Sequence, residues 1–221
     1  MKSYYDELFY NEEGMKQYYE FVKKHAKGQT LIEMACGTGD LLNLLEPDFD
    51  LTGVDIDVEM LEQIPVKYPN LKAELIEGDF LNFNNSKRYD TAVCIGDSTN
   101  YILTKEDLER FVKTMTSLSD CVIVDCHHPS RLKEFADDYF EEGSLDSFDY
   151  AYQIEVNEEH LVHVINFLDG TFDAIYQWVF DPQLLIDLFK KYGYWLEVYT
   201  DHKLKGIQKE GEKVVIVAHK G

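Results

Sequence analysis

The feature that most constrains this chain is a regular alternation of short apolar runs with helical segments along its first 125 residues. Residues 30–34, 51–55, 71–76, 91–95 and 121–125 read as strands, several of them nearly continuous in Leu, Ile, Val and Cys. Such runs are typical of strands covered on both faces. Between them lie helical stretches. One holds Met60, Leu61 and Ile64 behind Asp57, a good N-cap; another places Leu108, Phe111, Val112, Met115 and Leu118 on one face behind Thr104. Strands that alternate with helices pair in parallel through right-handed crossovers. The expected fold is therefore α/β, a doubly wound, mostly parallel sheet.

The pattern changes at both ends. Residues 1–28 are aromatic and acidic, with Met15, Tyr18, Tyr19, Val22 and Ala26 at helical spacing before Gly28, and read as an N-terminal helical lid. After Pro129 a helix is expected over Leu132, Phe135, Ala136, Tyr139 and Phe140. Three runs of period two follow, 148–156, 161–168 and 171–180, with Asp169-Gly170 a strong hairpin turn. Residues 129–180 thus predict a helix plus a three-stranded antiparallel insertion, and residues 29–128 with 181–221 the α/β domain. The aromatic area of the insertion needs a cover. That cover is the parent domain, the acceptor pocket or a second copy in a homodimer.

At 221 residues, one domain with an insertion is the natural reading. Lys and Arg number 21 against 42 Asp and Glu, a formal net charge of −21. Affinity for nucleic acid and anionic membranes rests on clustered cations, and no such run exists here, so both are excluded as expected partners. The acidity is either a solvated surface or a site mouth that favours cations. No apolar run nears a bilayer's thickness, and the start of the sequence lacks a basic-then-apolar leader. Cys36, Cys94, Cys121 and Cys126 have no metal-finger or redox spacing. A reduced, cytoplasmic chain is expected.

The chemistry is carried by Leu31-Ile-Glu-Met-Ala-Cys-Gly-Thr-Gly-Asp40, a strand running into a glycine turn and a helix. Gly37 and Gly39 let a ligand approach the backbone. Leu42 stands where the dinucleotide fingerprint needs a third small residue, which argues against a pyrophosphate site, and no P-loop Lys follows. Glu33 is a carboxylate inside an apolar strand; it would repel phosphate and welcome an ammonium. Asp55 ends the next strand, where an acidic residue commonly accepts from ribose hydroxyls. The turn thus fits a ribonucleoside with a cationic arm, such as S-adenosylmethionine.

With these residues in view, the chain resembles the class I S-adenosylmethionine-dependent methyltransferases. Glu33-Met-Ala-Cys-Gly-Thr-Gly39 is similar to the family's first motif, with Ala35 where many members have Gly, and Val54-Asp55-Ile56 to its second. Gly78-Asp79-Phe80 and Tyr89 to Tyr101 resemble the adenine-contact and fourth-strand segments. The resemblance implies a seven-stranded sheet with residues 213–218 between the fifth and sixth strands. It also implies donor contacts from Glu33, Ala35, Cys36, Gly37, Gly39, Asp55, Ile56, Asp79, Phe80, Gly96 and Asp97. A finer likeness points to methyltransferases of amino sugars or glycine-like amines.

Other candidates come from the residues themselves. His127 follows the fifth strand and is either a proton acceptor or a helix-capping histidine. Asp125 and His127 lack a third partner, so no metal is expected. Tyr10, Tyr18 and Tyr19 either close over the donor or pack in the core. Asn100, Tyr101, His127, Tyr152 and Trp178 are candidates for the acceptor side. The expected activity is methyl transfer to N or O of a small molecule, with an amine favoured. A natural-product O-methyltransferase, a protein methyltransferase and a non-catalytic donor-binding module are the alternatives.

Overall fold

The structure is a computed structural model that describes residues 4–137, 139–145 and 148–221. Helices α1 (Tyr4–Phe9) and α2 (Glu12–His25) lead in, the second capped by Asn11, which accepts from Gly14 N–H at 3.0 Å. The alternation then runs β1 (Thr30–Met34), α3 (Asp40–Leu45), β2 (Asp50–Asp55), α4 (Val58–Lys67), β3 (Ala73–Glu77), β4 (Thr91–Cys94), α5 (Lys105–Leu118) and β5 (Cys121–His127). Asp57 and Thr104 cap α4 and α5 as expected. Next come α6 (Arg131–Glu134), β6 (Tyr139–Ser144), β7 (Asp149–Asn157), β8 (His160–Phe167), β9 (Phe172–Trp178), α7 (Gln183–Lys191), β10 (Tyr194–Thr200), β11 (Leu204–Lys205) and β12 (Lys213–Lys220).

The main sheet has the order β11-β10-β12-β5-β4-β1-β2-β3. β5, β4, β1, β2 and β3 are parallel, whereas β12 is antiparallel to both β5 and β10. This is the doubly wound arrangement, with residues 213–218 between the fifth strand and β10. Two-residue β11 adds an eighth strand at the edge beyond the seven expected.

Period two in the strands splits the core cleanly. Ile32, Val124 and Ile216 face α5 and α7, packing on Phe111, Met115, Leu185 and Phe189. Leu31, Ile123 and Val217 face α2 and α3, packing on Val22, Leu42 and Leu45. Each fully buried Leu, Ile or Phe contributes roughly 1.5–3 kcal/mol. The winding reverses where β1 meets β4, so the carboxyl ends of these two strands open a crevice.

The insertion differs from expectation. Its sheet has four strands, β6-β7-β8-β9. The helix predicted through Tyr139 and Phe140 stops at Glu134, and those two residues begin β6 instead. Pairing explains this: Tyr139 lies opposite Ile154, and a helix there would leave the hydrogen-bonding edge of β7 bare. β6 is a mostly exposed edge whose Glu141 accepts from the Tyr150 hydroxyl at 2.6 Å. Helical periodicity over 132–140 was a coincidence of a short helix and an alternating edge strand. Among the described residues, no helix is long and apolar enough to cross a membrane.

Candidate active site

The residues expected on the donor side gather at the turn between β1 and α3. Ala35, Gly37 and Gly39 all have positive φ (56°, 54° and 81°). A Cβ on Gly37 would meet nothing within 4 Å, and the same holds for Gly96, at φ 83° after β4. The floor of the crevice is thus bare backbone at two places. Gly39 differs: a Cβ there would come within 3.1 Å of Ile64, so its absent side chain serves helix packing. Cys36 is buried beneath the turn, its N–H bonded to Val54 O at 3.0 Å.

Asp55 ties the second strand to this turn. One carboxylate oxygen accepts Gly37 N–H at 2.7 Å, the other Asp57 N–H at 2.9 Å. Burial pushes its pKa up while these N–H groups pull it back. Glu33 has no such help. It is 5 % exposed, and its Oε2 is buried without a hydrogen-bond partner. Burial, then Asp55 and Asp40, drive its pKa well above the usual carboxylate range. A buried acceptor left open in this way fits a cationic group.

Further along the edge, Asp79 accepts from Leu81 N–H at 2.8 Å and from the Asn82 amide at 2.9 Å, and Phe80 packs edge-on against Phe111. Ile56 projects beyond Asp55 and is 69 % exposed. Helix α1 reaches over the turn. Its Asp6 accepts from Thr38 Oγ1 at 2.8 Å and from Lys67 Nζ at 2.6 Å, while Phe9 meets Tyr152 of the insertion at 5.8 Å between ring centroids. Tyr10 is half-exposed beside Lys67.

A polar network runs between the main sheet and the insertion. Asp125, wholly buried on β5, accepts Gly96 N–H at 3.1 Å, Asp97 N–H at 3.2 Å and the Tyr18 hydroxyl at 3.1 Å. Lys213 of β12 lies 2.6 Å from Asp97 and 3.9 Å from Asp125. One cation therefore serves two carboxylates unequally. Burial works against both charges; Lys213 and His127 overcome it at Asp97, which falls to about 2. Asp125, farther from the ammonium and repelled by Asp97, is pushed up to about 6.

His127 Nδ1 sits 3.6 Å from Asp97, buried and without a hydrogen-bond partner. Its Nε2 meets Gln177 Oε1 at 2.7 Å; the same oxygen meets His163 Nε2 at 2.9 Å, and His163 Nδ1 meets the Tyr152 hydroxyl at 2.6 Å. Burial lowers the His127 pKa, with Asp97 pulling the other way.

The structure brings together most of the predicted residues and reassigns several. Asn100 is fully buried, and both ends of its amide are engaged by backbone: Oδ1 accepts His127 N–H at 2.9 Å and Nδ2 donates to Trp178 O at 2.7 Å. It clamps the insertion to β5. Trp178 is buried in the core against Phe180, its indole donating to Glu159 at 3.2 Å, and Tyr101 is 42 % exposed. Tyr18 supports Asp125 from within, and Tyr19 bonds Asp48 at 2.9 Å. Asp125 was weighed only as a metal partner, and Lys213, Gln177 and His163 were missed. A carboxylate and a lysine inside otherwise apolar strands were the available signal for Asp125 and Lys213; nothing marked Gln177. Among the described residues, no group of three or more His, Cys, Asp or Glu could hold a metal ion.

A family described as a methyltransferase domain matches residues 31–119. The chain is 28% identical over 148 residues to a putative methyltransferase of Bacillus subtilis, covering 62% of this chain and 59% of that one. Shorter matches, at 31% and 29% identity, reach a ribosomal RNA small subunit methyltransferase of Parabacteroides distasonis and a dTDP-3-amino-3,4,6-trideoxy-alpha-D-glucopyranose N,N-dimethyltransferase of Streptomyces venezuelae. They cover 36% and 37% of this chain, and the matched stretches span 30% and 34% of those relatives. The fold matches a methyltransferase structure from Clostridium acetobutylicum with a TM-score of 0.85 at 22% identity, covering 98% and 96% of the two chains.

Proposed function

We propose that the protein moves a methyl group from S-adenosylmethionine to an amine nitrogen of a small molecule, a reading supported by the match of residues 31–119 to a methyltransferase domain family. The observation that carries this reading is Glu33, a buried carboxylate with an unpartnered oxygen on the strand that runs into a turn left open at Gly37. Glu33 would hold the donor's cationic arm, Asp55 the ribose and Asp79 with Phe80 the adenine; Ile56 would cover the ring. The donor supplies a methyl already activated on a sulfonium, so this chain's task is alignment and exclusion of water.

On the acceptor side the residues supply negative charge. Asp97 and Asp125 share Lys213, and Asp97 carries its charge to low pH. This favours an acceptor that arrives as a cation or hydrogen-bond donor. A nitrogen nucleophile sheds a proton on methylation, and His127 Nδ1, lacking a partner beside Asp97, is the group that takes it. The relative named as an amino-sugar N,N-dimethyltransferase supports an amine. Against an RNA acceptor, as in the ribosomal relative, stands the net charge of −21.

The test pairs calorimetry with S-adenosylhomocysteine and methyl transfer to a panel of amino sugars, each matched with its hydroxyl counterpart. Binding with transfer to the amino members alone is expected. Absence of binding, or transfer only to the hydroxyl members, overturns the reading.

A further inference from the structure

We propose that Gln177, near the end of the last strand of the insertion, is the positioning residue for His127, pinning the ring by its Nε2–H so that only Nδ1 is left to take a proton. This rests on His127 as the proton acceptor of the reaction above. Gln177 is buried, and its single carbonyl oxygen faces two imidazole nitrogens, at 2.7 and 2.9 Å. With the oxygen turned toward both rings, a carbonyl that has lone pairs and no proton assigns the protons to both Nε2 atoms. In a neutral imidazole the other nitrogen is then bare. For His163 that bare Nδ1 is met by the Tyr152 hydroxyl, which must donate to it. For His127 the bare Nδ1 is buried, has no hydrogen-bond partner and faces Asp97 Oδ1 at 3.6 Å. Two acceptors that face each other with no proton between them form a pair that one proton completes.

The surroundings set when that proton is taken. Asp97 after β4 favours the charged ring; burial, Lys213 of β12 and Arg131 of α6 oppose it. His163 on β8 is held at about 4 and stays neutral. The ring is therefore uncharged at rest and becomes charged only when a proton is delivered beside Asp97. The backbone is secured at the same place: Asn100 bonds His127 N–H and the carbonyl of Trp178, the residue after Gln177. The insertion thus completes the proton-accepting end of the site.

The proposal is tested on the full ¹⁵N-labelled chain saturated with S-adenosylhomocysteine, by long-range ¹H–¹⁵N spectra of the histidine rings, assigned with His127→Phe and His163→Phe. Both rings are expected as the Nε2–H tautomer at pH 7.5. Gln177→Leu should turn His127 into a tautomer mixture, and Gln177→Glu should raise its titration midpoint by about one unit or more. A His127 proton resting on Nδ1 in the wild type, or an unmoved midpoint in Gln177→Glu, overturns the proposal. If Gln177→Leu does not fold, the wild-type tautomer and the Glu variant decide alone. Calorimetry of the wild type with the same ligand reads the donor site separately, so a failure there counts against the proposed function and not against Gln177.

Discussion

The two sides of the crevice are built on opposite principles. On the donor side, Glu33, Gly37 and Asp55 lie close in sequence, and what matters is left open: a carboxylate oxygen without a partner and a backbone floor without side chains. On the acceptor side, Tyr18, Asp97, Asp125, His127, Gln177 and Lys213 come from distant parts of the chain and largely satisfy one another. The first arrangement stores affinity, because a ligand must complete it. The second stores stability, because most of its polar groups already have partners in one another. Substitutions on the two sides should therefore fail differently.

The largest effect is expected from Lys213→Met. It would leave the wholly buried Asp125 and the Asp97 side chain, 26% exposed, without their shared cation and should lower stability by about 3 kcal/mol, read by urea unfolding. The pH dependence follows from protonation. Asp97 is held low by Lys213, so its stabilisation is present above the unfolded carboxylate value and fades as pH falls towards 2. Asp125 is raised, so its contribution is present in the protonated form and fades as pH rises through about 6. In the variant both carboxylates prefer the neutral form. The deficit should be greatest above pH 6 and shrink on acidification; a deficit independent of pH would show that Lys213 acts through packing.

Next is Asn100→Ala, which would orphan the N–H of His127 and the carbonyl of Trp178 inside the core. A cost of about 1–3 kcal/mol is expected for such unsatisfied groups, again in stability rather than in donor affinity. Equal unfolding midpoints for the variant and the wild type would mean that the clamp between β5 and the insertion is not needed.

On the donor side the signature should invert. Glu33→Gln should weaken S-adenosylhomocysteine binding by roughly tenfold, about 1.4 kcal/mol, while leaving the melting temperature unchanged or higher. The sign comes from its raised pKa: the neutral form suits the fold, so stability is lost as pH rises from the unfolded carboxylate value through the folded one. Glutamine removes that loss. Wild-type affinity should also decline on acidification as Glu33 takes up a proton, and the variant should lack that part of the decline. A destabilised variant with intact affinity would break the contrast between the two sides.

The same contrast explains what could be read from the residues beforehand. The sheet, its crossovers and the donor side follow from local patterns: a strand, a glycine turn and an acidic residue at the next strand end are neighbours in sequence and in space. The acceptor side is assembled by pairings that local patterns do not encode. Gln177 is one polar residue in an alternating strand, and its meeting with His127 depends on how the insertion docks. Asn100, expected at the acceptor, is consumed by backbone; nothing in its own sequence context distinguishes a clamp from a contact. The misread helix over 139–140 has the same origin, since it is pairing with β7 that makes β6.

The smallest effect sharpens where the donor side ends. α1 is held to the glycine turn through Asp6, which accepts from Thr38 and Lys67, with the Asp6 and Lys67 side chains each about 30% exposed. Ion pairs this open to solvent contribute up to about 1 kcal/mol, so Asp6→Ala should change global stability by less than that. Its consequence is local: amide exchange in residues 4–9 should quicken, because a helix of only six residues has little stability of its own. A second tie among the described residues is the edge-on contact of Phe9 with Tyr152. If exchange is unchanged in Asp6→Ala but quickens in Phe9→Ala, α1 belongs with the insertion and the acceptor side. If the reverse holds, it belongs with the turn, and the boundary between the two sides runs between Phe9 and Tyr152.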